Sequence, residues 1–171
     1  MLFKLKIFSF LLFFINSALY ADTQIFKAAK SGNNTKIIKL LSHGENIDER
    51  DKLGWTPLFE AISWGKIETA KLLIKNKASI NIVNSEGNTP LHLASFLGHI
   101  ELVKLLVNSG AEINAKNNDG QTPLHFAVIG KIEIAEFLLN EGAKKLADKY
   151  GNKPIDQTLS EEMKNLLSNY K

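Results

Sequence analysis

Thr56-Pro57-Leu58-Phe59-Glu60-Ala61, Thr89-Pro90-Leu91-His92-Leu93-Ala94 and Thr122-Pro123-Leu124-His125-Phe126-Ala127 are three copies of one hexapeptide, set 33 residues apart. A fixed period of this length marks a solenoid, in which each unit buries its apolar side only against its neighbours. The beat extends beyond the hexapeptide. Gly32, Gly65, Gly98 and Gly130 follow at intervals of 33, 33 and 32, and the slot Gly44, Lys77, Gly110 and Gly142 repeats those intervals.

Within a unit the pattern reads turn, short helix, turn, longer helix. Thr89 is expected as a helix N-cap with Pro90 at the first helical position, where its missing N–H leaves nothing unsatisfied. Leu91, Ala94 and Ser95 give the first helix a small face, which lets stacked helices approach closely. Gly98 ends it, and His99-Ile100-Glu101 opens the second. The apolar face of that helix is Leu102, Val103, Leu105, Leu106 and Val107, with Lys104 toward solvent, a 3.6-residue period. The same slots hold Ile67, Ala70, Leu72, Leu73 and Ile74, then Ile132, Ala135, Phe137, Leu138 and Leu139. Leu105, Leu106 and Leu138 are expected to be buried between units. Gly110 should close the second helix in the left-handed region, and Ala111 to Gly120 should form a hairpin-like loop. Lys77 stands in the same closing slot as Gly110, so a residue with a Cβ is expected in a left-handed turn.

These residues resemble the ankyrin repeat family, whose signature is T-P-L-H-x-A at a 33-residue repeat. The resemblance implies an all-α solenoid of stacked helix-turn-helix units joined by hairpin-like loops, about five units including two caps. The expected boundaries are an N-terminal cap repeat at 22–50, repeats at 51–83, 84–116 and 117–147, and a C-terminal cap repeat at 148–171. Between Pro123 and Pro154 the spacing falls to 31, through one residue lost between Ala127 and Gly130 and another lost after Gly142. The last unit keeps Pro154-Ile155-Asp156 without the His and Ala slots. The first lacks Thr-Pro but keeps Ala28, Gly32 and Gly44. Both depart as terminal repeats do when their outer face must stay polar.

Residues 1–21 belong to another regime. Lys4 and Lys6 precede an apolar run, Ile7 to Ile15, broken only by Ser9, and small residues lead to Ala21. This is the layout of a secretory signal peptide, expected to be cleaved near Ala21. The competing expectation, an uncleaved anchor, meets a run far shorter than the roughly 20 apolar residues of a membrane span. The mature chain is therefore expected to be exported by the general pathway to the periplasm, with no stable membrane span. Its richness in Lys, Ile and Asn points to an AT-rich bacterial genome. Removing the segment lowers the formal charge from +3 to +1. The basic balance thus gives no support to nucleic acid as a partner, which would call for a cationic face. The chain has no cysteine, which excludes disulfides, thiolate zinc sites and thiol catalysis.

No catalytic motif replaces that chemistry. The sequence has no G-x-S-x-G, H-E-x-x-H or phosphate-binding glycine loop. Glu68, Glu101 and Glu133 mark one recurrent helix position rather than a convergent site. His92 and His125 share a slot with Phe26 and Phe59, so packing and turn fixation, rather than metal binding, is the expected role. His99 follows the inter-helix Gly, and His43 ends a helix where a cation suits the dipole. No metal, no cofactor and no enzymatic activity are expected.

The resemblance instead marks a recognition surface at the hairpin residues around the Gly before Thr-Pro and at the residues before the inter-helix Gly. Those are Lys52, Leu53, Trp55, Ser63 and Trp64, then Ser85, Glu86, Asn88, Phe96 and Leu97. The third unit adds Asn118, Asp119, Gln121, Val128 and Ile129, and the last hairpin adds Lys149, Tyr150 and Asn152. Both tryptophans of the chain are in this set, and exposed aromatics are the usual material of hot spots. The competing expectation is that Trp55 and Trp64 pack on each other. The function implied is non-catalytic binding of another protein in the bacterial envelope by a monomer. The alternatives are an accessory or inhibitory protein for a periplasmic enzyme or toxin, and a host-directed secreted effector.

Overall fold

The computed structural model describes residues 23–170, and the expected signal segment lies outside the described residues. Helices come in pairs, α1 (Gln24–Ser31) with α2 (Asn34–Ser42), α3 (Pro57–Ser63) with α4 (Ile67–Lys75), and α5 (Pro90–Leu97) with α6 (Ile100–Asn108). A fourth pair is α7 (Pro123–Ala127) with α8 (Ile132–Asn140), and a 3-10 turn at Pro154–Gln157 leads to α9 (Glu161–Asn169). No strand occurs among the described residues. The fold is the all-α solenoid of stacked helix-turn-helix units.

The helix starts follow from Thr-Pro. Thr56, Thr89 and Thr122 lie in extended backbone as N-caps, each with Pro at the first helical position. The fixed φ of Pro is already helical there, and its absent N–H would have had no partner. Glycine sets the reversals. Gly32, Gly65, Gly98 and Gly130 have φ of +77°, +61°, +84° and +88°, a conformation only glycine takes without a steric penalty. Glu68, Glu101 and Glu133 sit in the first turns of α4, α6 and α8, facing the positive end of each helix dipole. Lys77 has φ +73°, in register with Gly44, Gly110 and Gly142 at +86°, +93° and +91°.

The core is continuous along the array. Leu58, Leu91 and Leu124 of the short helices and Leu73, Leu106 and Leu138 of the long ones have no exposed surface. Leu105 departs from expectation. It is half-buried at the core edge, because one position along a helix turns a side chain about 100° away from its neighbour. The lost residue before Gly130 leaves α7 only 5 residues long. In the last unit α9 buries Met163 and Leu167 and leaves Glu161, Glu162 and Asn165 exposed. That is the polar outer face a terminal unit requires.

Candidate protein-binding surface

Each hairpin is built on one Asx oxygen. Asp51 Oδ1 accepts from the backbone N–H groups of Leu53 and Trp55 at 2.9 and 2.8 Å. Asn84 Oδ1 accepts from Glu86 and Asn88 at 3.0 and 2.9 Å, and Asn117 Oδ1 from Asp119 and Gln121 at the same distances. Asp148 Oδ1 does so for Tyr150 and Asn152, both at 2.9 Å. Such turns fix the loop without help from outside it.

Successive hairpins are then tied backbone to backbone. The N–H groups of Ser85, Asn118 and Lys149 donate to the carbonyls of Leu53, Glu86 and Asp119 at 2.9, 3.0 and 2.9 Å. At Gly87 and Gly120 this close approach adds to the demand for glycine that positive φ already makes. A Cβ on Gly87 would stand 2.7 Å from the Asn118 nitrogen, and one on Gly120 would stand 2.9 Å from that of Lys149. The tips form a rigid row. Within it the Asp119 carboxylate, hydrogen-bonded to Lys149, holds the lysine above its ordinary pKa range.

The histidine slot adds a second tie. His92 Nδ1 accepts from the Thr89 N–H at 3.1 Å, and Nε2 lies 3.0 Å from the Gln121 carbonyl oxygen. A carbonyl only accepts, so Nε2 carries the proton and the ring is neutral. Burial pushes the His92 pKa down to about 4, and His125, with Nε2 3.3 Å from the Asn152 carbonyl, is lowered by the same cause. In the preceding repeat Phe59 fills the slot. There Thr56 Oγ1 is buried without a hydrogen-bond partner among the described residues.

The structure divides the expected surface residues. Lys52, Ser85, Glu86, Asn118, Lys149, Tyr150 and Asn152 are exposed on the hairpins, and Leu53, Asp119 and Gln121 are half-buried there. On the short-helix side Trp64 is 47% exposed, while Ser63, Phe96, Leu97 and Ile129 are half-buried.

Three residues are corrected: Trp55 is 1% exposed, Asn88 4% and Val128 0%. Packing against neighbouring side chains is the reason for the first two, since Gln121 and Asn152 share their slot and turn bond yet are half-buried and exposed. Trp55 packs on Phe59 with ring centroids 5.6 Å apart and lines one depression with His92 and Phe126 of the following repeats. Asn88, in the same slot, accepts from Asn117 Nδ2 at 2.9 Å and donates to Glu86 Oε2 at 3.0 Å. Val128 turns inward where α7 is shortened.

Trp64 has a different setting. Its indole Nε1 donates to Glu60 Oε1 at 3.2 Å, and Lys30 Nζ sits 4.5 Å from its ring centroid. Glu60 is buried, and burial raises its pKa, opposed by the Trp64 hydrogen bond and the Lys30 charge. Sequence reasoning passed over Glu60. The available signal was a carboxylate in the hexapeptide slot that Leu93 and Phe126 occupy in the next two repeats.

Between the hairpins and the short helices, Trp55, Phe59, His92, Leu93 and Phe126 help floor a depression with room for about one water. A space of this size suits surface contact rather than an enclosed small ligand. Among the described residues no helix is long and apolar enough to cross a membrane, and no cluster of three or more His, Cys, Asp or Glu is placed to hold a metal.

Comparison with known sequences adds the kinship of the chain. A family model described as ankyrin repeats in three copies matches residues 25–117, and one described as ankyrin repeats in many copies matches residues 105–156. The chain is similar to "Ankyrin repeat and SOCS box protein 3" of Bos taurus, 38% identical over 68 residues, which cover 39% of this chain and 13% of that protein. It is also similar to "Protein phosphatase 1 regulatory subunit 12A" of Mus musculus, 35% identical over 71 residues, or 41% of this chain and 7% of that protein. The match thus spans only a small part of either relative.

Proposed function

This chain belongs to the ankyrin repeat family, and from that premise we propose that it is a non-catalytic module of the bacterial envelope that binds another protein through its hairpin tips and short-helix face. The observation that carries the reading is the pairing of a rigid hairpin row with exposed aromatics at both ends of the surface, Trp64 and Tyr150. Rigid presentation lowers the ordering cost of association, and large aromatics supply buried area with few rotors. A surface of this kind could bury about 800 Å² on its own side, enough for a specific complex. The export reading rests on the basic, apolar and small-residue order of residues 1–21.

The test is a pull-down from the envelope fraction with the chain, repeated with Trp64→Ala and Tyr150→Ala. A partner retained equally by all three would count against this surface. A mature species of a mass that still includes Lys4 would count against export. Regulation of an enzyme is the second reading, favoured by the similarity to a protein named as a phosphatase regulatory subunit. It requires that the captured partner be an enzyme whose rate changes on one-to-one binding.

A further inference from the structure

The reversal between the two helices of each unit carries a pattern of its own. The residue before the inter-helix glycine is Trp64, Leu97 or Ile129, and the residue after it is Lys66, His99 or Lys131. All six are exposed or half-buried. The later residue reaches back across the preceding unit. Lys66 Cδ would lie 3.4 Å from a Cβ on Gly32, His99 Cε1 3.5 Å from one on Gly65, and Lys131 Cε 2.9 Å from one on Gly98. Each reversal, or rung, thus carries a large apolar residue two positions before a basic one whose side chain lies along the same edge. At the first rung Lys30 Nζ lies over the Trp64 ring, its charge opposed by the buried Glu60 carboxylate that accepts from Trp64.

Of the flanking carboxylates Glu68, Glu101 and Glu133, none pairs with Lys66 or Lys131 among the described residues. Glu68 pairs with Lys71 at 2.7 Å, and Glu133 lies 3.9 Å from Lys104. Lys66 and Lys131 make no ion pair among the described residues. Burial lowers the His99 pKa, and the charge of Lys131 lowers it further.

The spacing selects the shape of a partner. Packed helices of neighbouring units lie about 8–10 Å apart, so the rungs recur at about that interval. Seven residues of α-helix advance about 10.5 Å.

We propose that the inter-helix edge, Trp64/Lys66, Leu97/His99 and Ile129/Lys131, docks an acidic amphipathic helix of the partner protein, with one apolar side chain per heptad against each rung and carboxylates beside the first and third. The inference rests on the reading of the chain as a protein-binding module and names the chemistry of what it binds. Apolar contact supplies the burial, and the unpaired lysines supply orientation and attraction at a distance.

The test uses a dye-labelled 21-residue helical peptide with Leu at every seventh position and Glu beside the first and third Leu, titrated by anisotropy against the full chain. Lys66→Glu with Lys131→Glu should weaken binding at least tenfold, and replacing the two peptide Glu by Lys should restore most of it. Moving the Leu residues to every fifth position should weaken binding to the unaltered chain at least tenfold. Circular dichroism of each variant keeps a folding defect apart from a docking defect. Absence of peptide binding, indifference to Leu spacing, or equal binding by the charge-reversed chain overturns the inference. In those cases a natural partner that still depends on Trp64 and Tyr150 leaves the broader function standing, and one that ignores both residues removes it as well.

Discussion

His92 Nε2 lies 3.0 Å from the carbonyl oxygen of Gln121, 29 residues further along the chain. The imidazole that receives the Thr89 N–H in its own turn therefore also ties the following hairpin. Protonating the ring would place an N–H at Nδ1 against that N–H donor and break the turn bond.

Stability should fall as the medium is acidified from about pH 6.5 toward pH 4. The unfolded histidine binds a proton near pH 6.5, while the folded one, pushed down to about 4, does not. In that window the unfolded state holds more protons, so its share grows as pH falls. The full contribution of His92, present above the window, is about 3 kcal/mol. His92→Phe, the residue type found at Phe59, should flatten the dependence of urea-unfolding free energy on pH. An unchanged slope would mean the ring is solvated in the folded chain.

Lys77→Gly should raise the melting temperature. Lys77 holds φ +73°, where a Cβ costs about 1 kcal/mol relative to glycine. Thermal unfolding followed by circular dichroism reads the shift, and a lower melting point would show that the side chain contributes more than the strain removes.

Gly87→Ala and Gly151→Ala separate backbone strain from crowding. Both glycines have positive φ, +76° and +84°, but only at Gly87 would the added Cβ meet the next hairpin, while at Gly151 nothing lies within 4 Å. Each substitution should cost about 1–2 kcal/mol in strain. Gly87→Ala should lose about 2 kcal/mol more through crowding. Equal losses in denaturant titration would argue that the hairpins separate without penalty.

The two tryptophans should behave differently. Trp55→Ala empties a buried site and should destabilise by about 3–5 kcal/mol. Trp64→Ala removes the donor to the buried Glu60 carboxylate, so it should cost about 1–3 kcal/mol of stability, less than Trp55→Ala, and weaken partner binding by about 2 kcal/mol or more. Lys71→Ala and Lys104→Ala should change binding little. Calorimetric titration with the captured partner, beside thermal melts, distinguishes the pair.

Leu106→Ala should cost about 2–5 kcal/mol, since Leu106 has no exposed surface and sits mid-array. In a linear array the same change should also broaden the unfolding transition as neighbouring units uncouple. A sharp transition with a loss below about 1 kcal/mol would contradict the stacking.

The helices were legible because Thr-Pro, the inter-helix glycines and the apolar period are each local signals, and Lys77 was legible because register alone puts it in a left-handed slot. Trp55 was not. Its burial depends on packing against Phe59 and on side chains of the following repeats, a tertiary property rather than one of a helical or alternating period. Val128 was misread because the missing residue before Gly130 shifts which side chain faces inward. Lys30 was passed over since it meets Trp64 across two repeats, a relation that reading one unit at a time does not expose, whereas Glu60 lies one helical turn before Trp64 in the same repeat and was open to a local reading. Asp48, Asn81 and Asn114 likewise reach the next unit, receiving the N–H groups of Ser79, Glu112 and Lys144 at 2.9, 2.9 and 2.7 Å.

The hairpin row has a direction. The donor always lies in the later hairpin and the acceptor in the earlier one, so the upper face of a unit and the lower face of its neighbour are complementary rather than alike. A second in-frame copy of residues 84–116, inserted after residue 116, would meet a Glu86-type carbonyl beneath it and an Asn118-type N–H above it. Its own Asn84-type oxygen would close its loop without outside help. The array can therefore grow in length by plain duplication of coding sequence, with no compensating change elsewhere. Each added unit would extend the exposed edge by one more rung of a size the existing rungs already define.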